Sequence, residues 1–252
     1  MPSPPPSPNH PLPPVDRREF LRRGILAGAS VVASGAIGFW LHDKKGPRSS
    51  AQEKELVTLP NFAMNGVGRK ISIVRGADRV KTVNRALEAL GGMETFIKRG
   101  DRVLLKVNAA FASPPGLSAT SHPDLVTEVA RLCLRAGAAA VIVTDNPIND
   151  PRSCFQLTGI AQAAQASGAR LALPQDSSFA PTSIAGGVLI HDWPLFYEPF
   201  RGVTKLIGIA PVKDHNRSGA SMTMKNWYGL LGGRRNIFHQ NIHTLITELA
   251  MM

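Results

Sequence analysis

The stretch Val103-Leu104-Leu105-Lys106-Val107-Asn108 is an apolar run that carries polar side chains at its end. Short runs rich in valine and leucine are typical of strands buried on both faces of a parallel sheet. A second apolar run, residues 141–144, is followed by Asp145 and Asn146. Because the carboxyl ends of neighbouring parallel strands lie at one edge of the sheet, these polar residues are expected to lie close together.

Helical periodicity separates the apolar runs. A helix is predicted over residues 80–90, and Ser121 is the predicted N-cap of another, with Pro123 in its first turn and Gly137 at its end. Further strands are predicted at 70–74, 170–173, 188–191 and 203–209, and further helices at 158–167, 222–231 and 238–252. This alternation predicts an α/β fold for residues 52–252, with a mainly parallel or mixed sheet and helices on both faces.

The last predicted helix ends the sequence. Its apolar residues Ile242, Leu245, Ile246 and Leu249 recur at helical spacing, and no turn or strand follows them. A helix with a buried face is usually followed by another element. We therefore expect the domain to be incomplete at its C-terminus and marginally stable.

Residues 1–51 have the features of an export signal. A leader with eight prolines in residues 1–14 precedes Arg17, Arg18, Phe20 and Leu21, which match the twin-arginine pattern. The uncharged stretch 24–41 that follows is 18 residues long and diluted by glycine, which makes it weakly hydrophobic. The pattern predicts the twin-arginine translocation machinery as a partner and a periplasmic or other extracytoplasmic location. An uncleaved signal would leave the protein anchored in the membrane. A plain transmembrane anchor and a buried glycine- and alanine-rich helix are the alternatives to a signal.

Composition excludes several functional classes. The net charge is +11, of which +4 belongs to residues 1–51, and the remaining basic residues are scattered. Aromatic residues make up only 6%, so no nucleic-acid partner is predicted. Cys133 and Cys154 are too few for a four-cysteine iron–sulfur motif, which leaves any cofactor unknown. The sequence also lacks a P-loop, a dinucleotide-binding fingerprint, a His-Glu-x-x-His motif and a Gly-x-Ser-x-Gly motif.

The segment 211–229 adds further basic and amide side chains. If Ser221 caps the next helix, Lys225 lies near the helix start, where a cation is unfavourable unless an anion binds. We predict a pocket at the carboxyl edge of the sheet that binds an anionic small molecule through Lys106, Asn108, Lys213, Lys225 and Asn226. His215 or Asp145 would move a proton. Ordinary turn-forming and solvated surface roles are the alternatives for these residues.

His239 and His243 have the i, i+4 spacing of a helical metal pair. They flank the apolar stripe of the last predicted helix, and no carboxylate lies near them in the sequence. A half-exposed helix edge is therefore the alternative, and the metal remains unknown.

Several of these motifs together resemble the domain-of-unknown-function family number 362. The resemblance covers about residues 70–252 and rests on Lys106–Asn108, Thr120–Pro123, Asp145, Thr158–Ile160, Lys213, His215, Thr223, Lys225, Asn226 and Gly229. It implies an α/β domain of unsettled activity, some of whose relatives carry ferredoxin-type cysteine motifs. Because this chain lacks those cysteines, an electron-transfer role would require a separate iron–sulfur partner. The resemblance also implies further sequence after the last helix.

These observations support two functional hypotheses. The first is an exported enzyme or cofactor-dependent, redox-linked protein that acts on an anionic small molecule. The second is a noncatalytic factor that uses the same pocket to carry a ligand or a metallocluster.

Overall fold

The structure is a computed structural model that describes residues 16–40, 55–66, 68 and 70–252. The proline-rich leader predicted over residues 1–14 lies outside the described residues. The chain divides into two units, Met1–Gln52 and Glu53–Met252.

The first unit contains helix α1, Arg17–Trp40, which has 24 residues and no buried side chain. Both arginines of the predicted signal lie in its first turn. An 18-residue window of this helix has a mean hydropathy of 1.3. Within the described residues, α1 is the one helix whose length and composition would allow it to span a membrane.

The second unit is built on a four-stranded parallel sheet with the order β3-β2-β1-β6. Its strands are β1 Arg102–Lys106, β2 Ala140–Thr144, β3 Arg170–Ala172 and β6 Lys205–Gly208. Two antiparallel hairpins accompany it, formed by β4 Phe179–Thr182 with β5 Trp193–Phe196, and by β7 Lys213–His215 with β8 Gly219–Ser221. Lys106 is level with Thr144 on β2 and with Gly208 on β6, so the carboxyl ends of these strands form one edge.

Helical segments cover both faces of this sheet. The α-helices of the second unit are α2 Arg79–Glu88, α3 Pro123–Arg135, α4 Pro151–Leu157, α5 Ile160–Ser167, α6 Thr223–Asn226 and α7 Ile242–Met251. The 3-10 helices are Met93–Thr95, Pro115–Leu117, Asp176–Ser178, Glu198–Phe200, Trp227–Leu230 and Arg235–Asn241. The predicted α/β fold is thus confirmed.

The strands are apolar along their length because both of their faces are buried. On one face, Val103 and Leu105 pack into a cluster with Val126 and Val129 of α3. On the other face, Leu104 and Ile142 pack against Leu195, Phe200 and Leu230, which come from β5 and two 3-10 helices. A parallel strand covered on both sides produces an unbroken apolar run of this kind.

The start of α3 differs from the prediction. His122 is the N-cap, and its side chain accepts a hydrogen bond from the backbone N–H of Asp124. Ser121 instead joins two strand ends, since its Oγ accepts from the N–H of Asn108 at 2.8 Å and donates to the carbonyl of Ile209 at 2.7 Å. Past the end of α3, Gly137 has a φ of 99°, and a Cβ there would lie 3.1 Å from the Arg99 backbone.

Two predicted strands are wrong. Residues 70–74 belong to no strand, and Ile71 and Ile73 are 85% and 79% exposed, because no described segment pairs with this alternating sequence. Residues 188–191 form a loop. The N–H groups of Val188, Leu189 and Ile190 donate to the carboxylate of Glu248 and therefore do not pair with a neighbouring strand.

Three predicted helices are shorter than expected. The helix predicted over 158–167 begins at Ile160, because Thr158 is the C-cap of α4, which the sequence did not indicate. The segment 222–231 divides into α6 and a 3-10 helix, and the segment 238–252 contains the end of another 3-10 helix before α7. In α7, Ile242, Leu245 and Leu249 are buried in a cluster with Leu231 and Phe238.

Candidate functional site

A buried ion pair lies at the carboxyl edge of the sheet. Lys106 Nζ is 2.7 Å from Asp145 Oδ1, and the two residues are 0% and 2% exposed. Lys106 also donates to the carbonyl of Val107 at 2.8 Å and to Asn226 Oδ1 at 3.2 Å. Burial lowers the pKa of Lys106, and the charge of Asp145 opposes that shift. All three protons of this ammonium group therefore have acceptors inside the protein.

Both carboxylate oxygens of Asp145 also have partners inside the protein. Its Oδ2 accepts the N–H of Ala109 at 2.7 Å, and its Oδ1 accepts the N–H of Asn146 at 2.8 Å in addition to the ion pair. Gly229 lies against it, since a Cβ at that position would be 2.5 Å from Asp145 Oδ1 and 3.1 Å from Lys106 Nζ. The close approach of this backbone therefore requires glycine.

Two asparagines complete this arrangement. Asn226 Oδ1 accepts from Asn108 Nδ2 at 3.0 Å, and Asn226 Nδ2 donates to the carbonyls of Lys106 and Val107. These hydrogen bonds connect α6 to the carboxyl end of β1. We call Lys106, Asn108, Asp145 and Asn226 the buried frame.

A second group of residues lies beside the buried frame and is only partly buried. Lys213 Nζ donates to Asn108 Oδ1 at 3.3 Å and to the carbonyl of Ala119 at 2.5 Å. Lys225 Nζ is 5.7 Å from the centroid of the Tyr228 ring and makes no hydrogen bond or ion pair with any described residue. The Nδ1 of His215 is 2.9 Å from Ser218 Oγ. We call Lys213, His215, Lys225 and His239, which is described below, the open cluster.

The local structure around Lys225 differs from the prediction. Ser221 is the last residue of β8 and pairs with Lys213, so it does not cap the following helix. The N-cap is Met222, and α6 has only four residues, with Lys225 in its last turn. The start of α6 therefore does not support an anion site, and only the charges of the open cluster do.

The cations of the open cluster repel one another. Burial and the charge of Lys213 lower the pKa of Lys225, and burial lowers the pKa of Lys213. The pKa of His215 is lowered by burial first, and then by the charges of Lys225 and His239. No carboxylate forms an ion pair with any of these side chains in the described part of the chain.

His239 also lies in the candidate site, although the sequence suggested it only as half of a metal pair with His243. Its ring stacks on His215 with 5.8 Å between centroids, and its Nδ1 is 3.0 Å from the hydroxyl of Tyr228. The two histidines considered as a metal pair do not share one α-helix, because His239 lies in the 3-10 helix Arg235–Asn241 and His243 lies in α7. Among the described residues, no group of three or more His, Cys, Asp or Glu side chains could hold a metal ion.

Arg235 is a second residue that the sequence did not single out. Its guanidinium donates to the carbonyls of Gly229 and Leu231 and to those of Asn146 and Pro147. It therefore joins the loop after β2 to the turn that contains Gly229. Nothing in the sequence distinguished it from Arg234, because all four acceptors are main-chain atoms and two of them, in Asn146 and Pro147, are distant in the sequence.

The two cysteines lie in the core as free thiols. Burial raises the pKa of Cys133 to about 12 and also raises that of Cys154. Neither residue is therefore a thiolate at neutral pH, which is the form that binds metals.

The structure brings all seven predicted site residues to one end of the sheet but gives them unequal environments. The side chains of Lys106, Asn108, Asp145 and Asn226 are engaged by protein atoms. Lys213, Lys225 and His215 lie on the hairpin β7–β8 and on α6, where they are accessible to solvent.

The residues at this end of the sheet lie in a region that is similar to known proteins. A thylakoid-associated protein of Synechocystis sp. (strain ATCC 27184 / PCC 6803 / Kazusa) is 28% identical over 156 residues, which are 59% of this chain and 44% of that protein. The chain thus spans less than half the length of that relative. No solved structure matches this chain. The family described as "Domain of unknown function (DUF362)" matches residues 103–252, which include the buried frame and the open cluster. Since that match covers more than half of the sequence, the chain belongs to the DUF362 family.

Proposed function

We propose that this protein binds a small anionic molecule at the open cluster. The observation that carries the proposal is the juxtaposition of the cations Lys213 and Lys225 beside His215. None of the three forms an ion pair with a described carboxylate, although the charges of Asp145 and Asp214 oppose the lowering of the pKa of Lys213 and of His215, respectively. Like charges held together in a partly buried site are costly unless an anion neutralises them. A phosphate or carboxylate group would supply the missing acceptor for Lys225 and relieve the repulsion.

In this proposal the buried frame supports the site and does not contact the ligand. Asp145 has hydrogen bonds at both oxygens and is surrounded by protein, so we assign it a positioning role and not proton transfer. His215 accepts the backbone N–H of Ser218 at Nδ1, and its lowered pKa keeps the imidazole neutral at neutral pH. Its Nε2 therefore carries the hydrogen, and we assign it the role of donating a hydrogen bond to the bound anion. An enzyme and a noncatalytic carrier would share this binding step, which is why we propose binding as the function.

Titration calorimetry with inorganic phosphate tests the proposal on the full-length chain in detergent. We expect Lys225→Ala to weaken binding about tenfold or more, because a charge-assisted hydrogen bond contributes about 1.5–3 kcal/mol. The matched control is Lys81→Ala, which removes an exposed lysine from α2. The proposal fails if phosphate binding is absent, or if both variants bind phosphate as tightly as the wild type.

We further propose that α1 directs export by the twin-arginine route, either as a cleaved signal or as an anchor. In support, Arg17, Arg18, Phe20 and Leu21 precede an apolar helix of 24 residues, and its length and composition fit a signal or an anchor. The relative from Synechocystis is thylakoid-associated, which is also a membrane setting.

A fusion of residues 1–55 to a reporter active only outside the cytoplasm tests this proposal. Replacing Arg17 and Arg18 with lysine should abolish reporter activity, since the route reads the arginine pair and not its charge. The chain offers its own control, because Arg22 and Arg23 form a second pair in the same helix. Equal activity of the two lysine double variants would contradict twin-arginine export.

A further inference from the structure

A cavity of about 520 Å³ opens beside the open cluster. His239, a member of the open cluster, lines this cavity, as does Tyr228, whose ring lies near Lys225. The Tyr228 ring centroid is 5.7 Å from Lys225 Nζ, and the His239 ring is stacked on His215. Lys213, His215 and Lys225 do not themselves line the cavity, but Tyr228 and His239 adjoin both. A ligand long enough to extend past these two rings would contact the cavity and the cluster.

The walls of the cavity differ chemically from the cluster. They include Pro147, Pro174 and Phe179, which present flat apolar surfaces, and the polar side chains of Asp176 and Asn236. None of the described residues that line the cavity is a lysine. The guanidinium of Arg235, which also lines it, is occupied by main-chain carbonyls. The cavity is therefore suited to an uncharged group with hydrogen-bonding atoms.

Size and charge restrict the ligand further. The cavity volume lies within the range of about 300–1,000 Å³ found for small-molecule sites, so a free phosphate ion would leave most of it empty. Asp176 and Arg235 give the lining one negative and one positive charge, so it offers no net positive charge to a second phosphate group. The carboxylate of Asp176 is the kind of group that accepts hydrogen bonds from ribose hydroxyls. The site therefore favours a ligand with one anionic end and one neutral, planar end that carries hydroxyl groups.

We propose that the ligand is a nucleoside monophosphate. Its phosphate lies at the open cluster between Lys213, Lys225 and His215, and its base and ribose occupy the cavity. This inference rests on the proposed anion site and adds to it the class of molecule that carries the anion. It predicts that phosphate and nucleoside each contribute to affinity through different residues.

Calorimetric titration of the full-length chain tests the inference with defined probes. The probes are the 5′-monophosphates of adenosine, guanosine, cytidine and uridine, the four nucleosides and inorganic phosphate. We expect at least one nucleotide to bind at least tenfold more tightly than inorganic phosphate and than its own nucleoside. Lys225→Ala should weaken both that nucleotide and phosphate about tenfold.

Variants of the cavity separate the two ends of the ligand. Ile148 lines the cavity and is 67% exposed, so Ile148→Trp should fill the entrance without disturbing the fold. We expect it to weaken nucleotide binding at least tenfold and to leave phosphate binding unchanged. The matched control, Ile237→Trp, changes an exposed isoleucine that does not line the cavity and should alter neither affinity. Asp176→Asn should weaken the nucleotide at least threefold and leave phosphate unchanged, which provides a second test if the tryptophan variant does not fold.

The two proposals fail in different ways. If phosphate binding depends on Lys225, but no nucleotide binds tenfold more tightly than phosphate, the anion site is supported and the nucleotide proposal is wrong. If Ile148→Trp and Asp176→Asn both leave nucleotide affinity unchanged, the cavity does not hold the nucleoside. If neither phosphate nor any nucleotide binds in a Lys225-dependent way, both proposals are wrong.

Discussion

The buried frame and the open cluster both contain lysine side chains, but the polar atoms of these lysines are partnered differently. In the frame, Lys106 has an ion pair and two hydrogen bonds inside the protein. In the cluster, Lys225 makes no hydrogen bond or ion pair with any described residue and lies near other cations. A lysine with complete partners maintains the fold, whereas a lysine without an acceptor is available to a ligand. The comparison therefore divides one set of site residues into two roles.

The largest loss of stability is expected from a substitution in the buried frame. Lys106→Met removes the charge that compensates Asp145 and leaves a buried carboxylate without its ion-pair partner. Breaking a buried pair in this way costs about 3–5 kcal/mol in the free energy of unfolding. Chemical denaturation of the full chain measures this loss, with Lys81→Met as the exposed control. A loss below about 1 kcal/mol, the value typical of surface pairs, would show that the frame is not structural.

A smaller loss of stability is expected from Gly229→Ala, at the point where the backbone approaches the Lys106–Asp145 ion pair. Gly229→Ala places a Cβ 2.5 Å from Asp145 Oδ1, and neither the ion pair nor the turn can move freely. Overpacking of this kind costs about 1–3 kcal/mol. Gly116→Ala is the control, because no atom lies within 4 Å of the corresponding Cβ. Equal stability of the two variants would mean that the frame adjusts to the methyl group.

The smallest effect is a pH dependence of stability that arises in the open cluster. The pKa of His215 in the folded protein is lowered from 6.5, chiefly by burial and then by Lys225 and His239, although Asp214 opposes the shift. The unfolded chain therefore takes up this proton first, and stability is lost as the pH falls below about 6.5.

Denaturation at pH 7.5 and pH 5.5 measures this contribution. His215→Gln should reduce the difference between the two pH values, whereas His191→Gln, at an exposed histidine, should leave it as in the wild type. Bound phosphate should also reduce the difference, since an anion favours the charged imidazole. If His215→Gln behaves like His191→Gln, the histidine is not held among cations.

The sequence predicted the central sheet well because its strands are buried on both faces. Apolar runs such as the one ending at Asn108 can be recognised without knowledge of their neighbours. The alternating residues 70–74 have the local pattern of a strand, but no described segment pairs with them. The short hairpins β4–β5 and β7–β8 were missed because they have no long apolar run.

The grouping of the candidate site residues was predicted from the sequence, but their individual contacts were not. The polar residues at strand ends were expected together because parallel strands share an edge, and the structure places them there. Local sequence could not indicate that Asp145 pairs with Lys106, or that Arg235 donates to the carbonyls of the loop after β2, because these contacts join distant segments. The stacking of His215 on His239 likewise depends on how two separate segments pack.

The melting temperature of two variants, with and without phosphate, tests the division of roles most directly. Without phosphate, Lys106→Met should melt well below the wild type, whereas Lys225→Ala should melt at the same temperature or slightly above it. Phosphate should raise the melting temperature of the wild type, because a ligand that binds only the folded state stabilises it, and should have little effect on Lys225→Ala. The account would be contradicted if Lys225→Ala without phosphate melted as low as Lys106→Met, or if it retained the full stabilisation by phosphate.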